Sequence, residues 1–182
     1  MLCHKYSNCD ISKMSLHVKR RSVILSTHPE LRRLEGPEWS SKWIALGLVG
    51  AQIALAYATS AWAWGWAYFG VVYVCGATIA QALFLANHEL SHGLFFHTGA
   101  YNRAFSLVVN WPALVPYAVS FRLYHLEHHS HQGYTGVDTD LPSEWEMRHV
   151  RGRVAKAVWL SLQLVFYAVR PVVIRPRPFG MQ

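Results

Sequence analysis

At 182 residues the chain has room for one domain or for part of a larger one. It is 52% hydrophobic and only 15% charged, against about 25% charged in ordinary soluble domains. A formal charge of +7 would suit nucleic acid, but there is no RNA- or DNA-binding motif and the basic residues gather beside apolar spans, so an anionic membrane surface is the better partner and nucleic acid is set aside. The three cysteines are odd in number and irregularly spaced, which excludes a disulfide framework and fits a reducing compartment.

Residues 1–16 read as a disordered tail, and Cys3-His4 with Cys9 belongs to that tail rather than to a metal site. The first 40 residues are polar and basic and hold no apolar core of a signal peptide. From Trp43 to Asn87 there is no Lys, Arg, Asp, Glu or His. As one helix this run would measure roughly 67 Å at 1.5 Å per residue, and the hydrocarbon core is about 30 Å thick. Two spans fit, near 43–60 and 66–88, the second helix running on to about 90. The aromatic-rich stretch Ala58–Gly65 makes the turn between them. Lys and Arg flank this hairpin on both sides and none lies in its turn, so both ends are expected in the cytosol.

Tyr101–Phe121 is apolar but carries Arg103, Asn110, Pro112 and Pro116. It reads as a broken, interfacial or re-entrant segment, because proline disrupts a spanning helix. Helix should resume over Phe121–Ser130, and Gly133–Glu146 should be a polar loop. An amphipathic helix is expected near 150–170, lying along the headgroups with Arg151, Arg153, Lys156 and Arg170 beside it. Pro171, Pro176 and Pro178 should then end helical structure. The fold class is all-α: one transmembrane hairpin plus cytosolic or interfacial helices.

Two histidine clusters carry the chemistry. His88-Glu89-Leu90-Ser91-His92 begins where the charge-free run ends, and His125-Leu126-Glu127-His128-His129 follows the proline-broken segment. Spacings of three and four place such side chains on one helix face, and imidazole is the commonest side-chain metal ligand. His88, His92, His125, His128 and His129 are therefore the candidate metal ligands. His97, His131 and His149 read as surface or supporting residues. The first cluster also satisfies the H-E-x-x-H pattern of zinc proteases, but five imidazoles without cysteine exceed what one tetrahedral zinc needs and suit a pair of irons better. A lipid chain offers only unactivated C–H bonds, so its oxidation requires an O₂-activating metal. Removal of two neighbouring hydrogens leaves an alkene, and hydroxylation leaves an alcohol; the clusters alone do not separate the two. Glu89 and Glu127 suit either a role in orienting imidazoles or a solvated helix face. Asp138 and Asp140 suit ligand orientation or, more commonly, a turn cap. Tyr117, Phe121 and Tyr124 read as interfacial anchors more readily than as walls of a chain-binding tunnel.

The two clusters resemble the first two histidine boxes of membrane fatty-acyl and sphingolipid desaturases. The flanks sharpen the likeness: His28-Pro29-Glu30-Leu31 with Gly36-Pro37-Glu38, Asn102-Arg103, Pro116–Phe121, Tyr124-His125, Gly136–Pro142 and Phe166–Pro171 are similar to stretches of the sphingolipid Δ4-desaturases. On this resemblance residues 17–42 form the family's N-terminal segment and 43–182 a partial desaturase domain, half of a four-span fold. It implies O₂-dependent insertion of a C4–C5 trans double bond into dihydroceramide to give ceramide. It further implies a di-iron centre held by His88, His92, His125, His128 and His129, electrons from cytochrome b5 and its reductase, and a multi-pass location in the endoplasmic reticulum with the histidines facing the cytosol. The family's third box, a further H-x-x-H-H well downstream of the second box, does not follow within these 182 residues, so the expectation is a truncated form that holds iron poorly by itself. A lipid C4-hydroxylase or acyl-chain desaturase, and an inactive membrane lipid-binding fragment, are the alternatives.

Overall fold

The computed structural model describes residues 16–176. The expected tail with Cys3 and Cys9, as well as Arg177 and Pro178, falls outside the described residues apart from Leu16. Two compact units are separable, residues 1–37 and 38–182. In the first, helix α1 (Leu16–Thr27) is followed by a 3₁₀ turn (Pro29–Leu34), and Arg21 pairs with Glu35.

The second unit is built from helices alone among the described residues. Helix α2 (Ser41–Thr59) is the first candidate span. The second candidate is a continuous 26-residue run from Trp66 to Ser91, in which α3 (Trp66–Val71) and α4 (Ala77–Ser91) are joined by a π-helical segment, Val72–Gly76. The bounds agree with the expected hairpin; the π segment is an addition. It ends at Gly76, which packs toward α2: a Cβ there would meet a Leu55 methyl at an ordinary contact distance of 3.6 Å. Only 22% and 11% of the apolar windows of the two spans are buried within the protein. Such outward apolar surface would be a liability in water and is what a bilayer requires.

The buried core is small and lies at the histidine end: Ala45, Val49, Leu83, Leu90, Phe95 and Val109, from α2, α4, the following loop and α5 (Gly99–Asn110). Helix α5 runs through a 3₁₀ turn (Trp111–Ala113) to α6 (Ala118–Ser130), and the chain reverses by 117° between them. The chain is therefore broken where the prolines suggested, between Trp111 and Tyr117. Asn110 holds the bend: its amide nitrogen donates to the Val115 carbonyl at 2.7 Å, and its oxygen accepts from the Ala118 N–H at 2.7 Å.

Three expectations for the C-terminal part need correction. The loop after α6 ends earlier than Glu146, because a capping box between Ser143 and Glu146 starts α7 (Glu144–His149). The single amphipathic helix near 150–170 is two helices, α8 (Gly152–Ser161) and α9 (Gln163–Ile174), bent by 80°. Pro171 lies inside α9 and does not end it. Its position follows from what holds α9 in place: Arg170 is buried in an ion pair with Glu146, and that tertiary anchor outweighs the local penalty of one missing N–H.

Candidate metal centre

Each candidate ligand position follows from local structure. His88 and His92 stand one turn apart at the end of α4. The helix stops immediately after His92 because Gly93 adopts φ +78°, the Gly93 N–H returns to the Leu90 carbonyl, and the Leu94 N–H returns to that of Glu89. This glycine-terminated cap closes the carbonyls of the last turn and fixes the end of the helix at the second ligand. The following loop is tied by Asn102, 2% exposed, whose side chain bonds to the N–H groups of Phe95 and Phe96 and to the carbonyls of Phe96 and Thr98.

Helix α6 brings His125 and His129 to the same place. His92 Nε2 and His129 Nε2 each lie 3.0 Å from His125 Nε2. The His88 ring is 4.5 Å from that of His125 and 4.8 Å from that of His92, centre to centre. One donor atom from each of His88, His92, His125 and His129 lies within 4.8 Å of every other. These separations suit a shared ion: two imidazole nitrogens bound at about 2.1 Å and a right angle are about 3 Å apart. His88 is oriented by Glu89, whose carboxylate lies 2.8 Å from Nδ1, leaving the other ring nitrogen for a metal.

His128 is not in this group. Three residues on from His125 and one before His129, it is rotated around α6 toward the loop that follows. There its Nδ1 lies 2.8 Å from Asp138 Oδ1 and 3.6 Å from an Asp140 oxygen. Asp138, 1% exposed, also accepts from the Gly133 N–H at 2.8 Å and the Asp140 N–H at 3.0 Å. One carboxylate thus both caps the turn and holds the His128 ring. Glu127 faces elsewhere: Arg175 grips it through Nε at 2.9 Å and Nη2 at 2.7 Å. His97, His131 and His149 are exposed.

The electrostatics suit metal binding. Burial, then the neighbouring His129, His88, His92 and His128, push His125 down to about 3. His92 and His129, which are more exposed, are also lowered, by partial desolvation first and then by nearby imidazoles. At neutral pH these rings are uncharged, and the neutral imidazole is the form that ligates. Burial alone would raise the Asp138 carboxyl, but the Gly133 amide, the His128 ring and the Asp140 amide outweigh it and hold it below the usual range. An ionised Asp138 favours the His128 proton on Nδ1 and leaves Nε2 as the free donor. The donor set thus fits a metal site of four imidazoles with a fifth, separately oriented imidazole beside it.

The aromatic residues abut the centre. Phe121 stacks on His125 with centroids 4.9 Å apart and an interplanar angle of 11°, and the Tyr124 hydroxyl donates to the Arg175 carbonyl at 3.0 Å. Asn87 donates to the Tyr117 hydroxyl at 3.0 Å. Two groups support the site from behind: Glu146, expected in a polar loop, and Arg170, expected beside the headgroups but buried. Glu146, 2% exposed, receives Arg170 Nη2 at 2.7 Å and Nε at 3.0 Å, Trp159 Nε1 at 2.9 Å and the Ser143 N–H at 2.7 Å. Arg170 also donates to the Asp140 carbonyl at 3.3 Å, which joins α9 to the loop that carries Asp138. The Ser143-x-x-Glu146 spacing was the available signal for the cap; nothing local marked the ion pair.

An all-helical chain with two helices long and apolar enough to cross a bilayer, and a histidine cluster at the end of the second, belongs to the fatty acid desaturase family, whose profile matches residues 63–182. Among individual proteins it is similar to the sphingolipid delta(4)-desaturase of Schizosaccharomyces pombe, 47% identical over 166 residues, covering 91% of this chain and 46% of that protein. It is also similar to sphingolipid delta(4)-desaturase DES1 of Gallus gallus, 38% identical with 89% of this chain and 50% of that protein covered, and to the DES1-like protein of Arabidopsis thaliana, 42% identical with 90% and 49% covered. The chain spans about half the length of these curated relatives. No solved structure matches it.

Proposed function

We propose that this chain carries the N-terminal part of a sphingolipid Δ4-desaturase and contributes His88, His92, His125, His128 and His129 to a centre of two irons. The observation that carries this reading is the convergence of two i, i+4 histidine pairs at the end of a candidate membrane span, with one donor atom of each ring within 4.8 Å of every other. The likeness to three sphingolipid delta(4)-desaturases supports the substrate class. When bound, the irons supply oxidation of an unactivated C–H bond: O₂ is reduced to two waters with the two hydrogens of C4 and C5 of dihydroceramide and two electrons and two protons from outside.

The chain's own residues do the rest. The spans α2 and α3–α4 keep the substrate's tails in the bilayer, Phe84 and Phe121 offer an apolar wall beside the imidazoles, Glu89 and Asp138 orient His88 and His128, and burial excludes water from His125. Cytochrome b5 and its reductase supply the electrons. The protein resides in the endoplasmic reticulum with this centre toward the cytosol, residues 17–42 form the N-terminal segment, and residues 43–182 are part of the desaturase domain.

The test joins this chain in frame to the remainder of the S. pombe relative in cells lacking their own Δ4-desaturation. The expected product, read by lipid mass spectrometry, is ceramide with a C4–C5 double bond. A product that gains one oxygen makes the protein a hydroxylase. No product at all, with the unaltered S. pombe protein active in the same cells, overturns the reading.

A further inference from the structure

Asn87 directly precedes the first ligand and is 2% exposed. Its Nδ2 donates to the Tyr117 hydroxyl, while its Oδ1 is buried with no hydrogen-bond partner. A buried carbonyl without a donor is destabilising, and a leucine at this point of an apolar helix would avoid that cost. Among the described residues the Tyr117 hydroxyl donates to none. Turning the amide over keeps the pairing of an open donor beside an open acceptor: Tyr117 then donates to Oδ1, the amide N–H groups are the open donors and the Tyr117 oxygen is the open acceptor. One small group satisfies both at once, a hydroxyl, which accepts and donates through the same oxygen.

The surroundings say what the hydroxyl is attached to. The Phe84 ring lies 5.6 Å from that of Tyr117 and 5.2 Å from that of Phe121. Phe121 stacks on His125 and stands 6.4 Å from His88. An apolar aromatic wall therefore runs from the Asn87–Tyr117 pair to the imidazole cluster. We infer that Asn87 and Tyr117 form the receptor for a hydroxyl of the lipid substrate, placed so that the adjoining alkyl chain lies along Phe84 and Phe121 toward the metal centre. This rests on the sphingolipid reading above and assigns it a selectivity device. A sphingoid base carries a hydroxyl on C3, next to the reacting C4, whereas an ordinary fatty acyl chain has no such group there. A site built around a hydroxyl rejects the analogue that lacks it, because its own polar groups are left unpaired.

The probe is N-octanoyl sphinganine, compared with the same lipid lacking the C3 hydroxyl, each titrated onto the 182-residue chain in lipid nanodiscs. The unaltered chain should bind the hydroxylated lipid about tenfold more tightly, the equivalent of one buried hydrogen bond. Asn87→Leu and Tyr117→Phe should each erase that preference while leaving affinity for the deoxy lipid within about twofold, and Tyr117→Phe should retain ferrous iron as the unaltered chain does. A preference that survives in both variants overturns the inference, as does an unaltered chain that binds the two lipids alike, the pair then holding only water. If the unaltered chain binds neither sphingoid lipid, the substrate class itself is wrong, a result distinct from binding without preference. Tyr117→Phe removes a single oxygen and carries the test even if Asn87→Leu fails to fold.

Discussion

His125 and His128 are three residues apart on one helix, yet they do different work. His125 is 9% exposed, surrounded by other imidazoles and held uncharged; His128 is turned toward the following loop and paired there with a buried carboxylate. Their replacements should therefore differ. His125→Ala removes the nitrogen that two neighbouring rings approach at 3.0 Å, and iron bound to the purified protein, measured by elemental analysis, should fall to near zero. His128→Ala should leave the four-imidazole group able to hold one ion. Asp138→Asn keeps the shape but loses the charge that fixes the His128 tautomer, and such orienting partners change metal affinity by about 10–100-fold. The expected result is weaker binding of the second ion alone, seen as a split in a ferrous iron titration. Equal loss of both ions would show that Asp138 acts on the fold rather than on His128.

Between elements, polar groups do what the thin apolar core does not. Asn110 makes two hydrogen bonds across the α5–α6 reversal, so Asn110→Ala should lower stability by about 2 kcal/mol in thermal unfolding of the detergent-solubilised protein. The Glu146–Arg170 pair is buried on both sides, and Glu146→Gln, which strands the arginine, should cost about 3–5 kcal/mol. Burial alone would raise the Glu146 carboxyl, but Arg170, the Ser143 amide and Trp159 bring it down to about 2 from an ordinary 4.5. A depressed carboxylate stabilises the fold fully above its unfolded value and loses that contribution as pH falls toward the folded one. Melting temperature should therefore drop between about pH 4.5 and 2, and the drop should shrink in the Glu146→Gln variant.

For the whole molecule, the hairpin sets the frame: two spans joined by the turn after Thr59, with the histidines at the far end. In a chain with Cys3, Cys9 and Cys75 changed to Ser, single cysteines at Ala61 and at Gln132 should be labelled from opposite sides of the membrane by an impermeant maleimide. Labelling from the same side would refute the hairpin. That hairpin was legible because transfer of backbone and charge into hydrocarbon is so unfavourable that a long charge-free run admits few folds. Helix α6 and the histidine pairs were legible because a period of 3.6 residues is a local property of the chain. The split of His128 from His125 and His129 was not, since it depends on where the loop carrying Asp138 comes to rest. Nor was the continuation of α9 through Pro171, which rests on a partner 24 residues away in sequence. By itself, then, the sequence determined the membrane hairpin, the helical class and which imidazoles were available, all of them consequences of solvent and of local periodicity. Tertiary structure alone decided which four rings meet, which carboxylate holds the fifth, and that Asn87 is left with an open acceptor beside them, because each of these depends on distances between segments that no local pattern encodes.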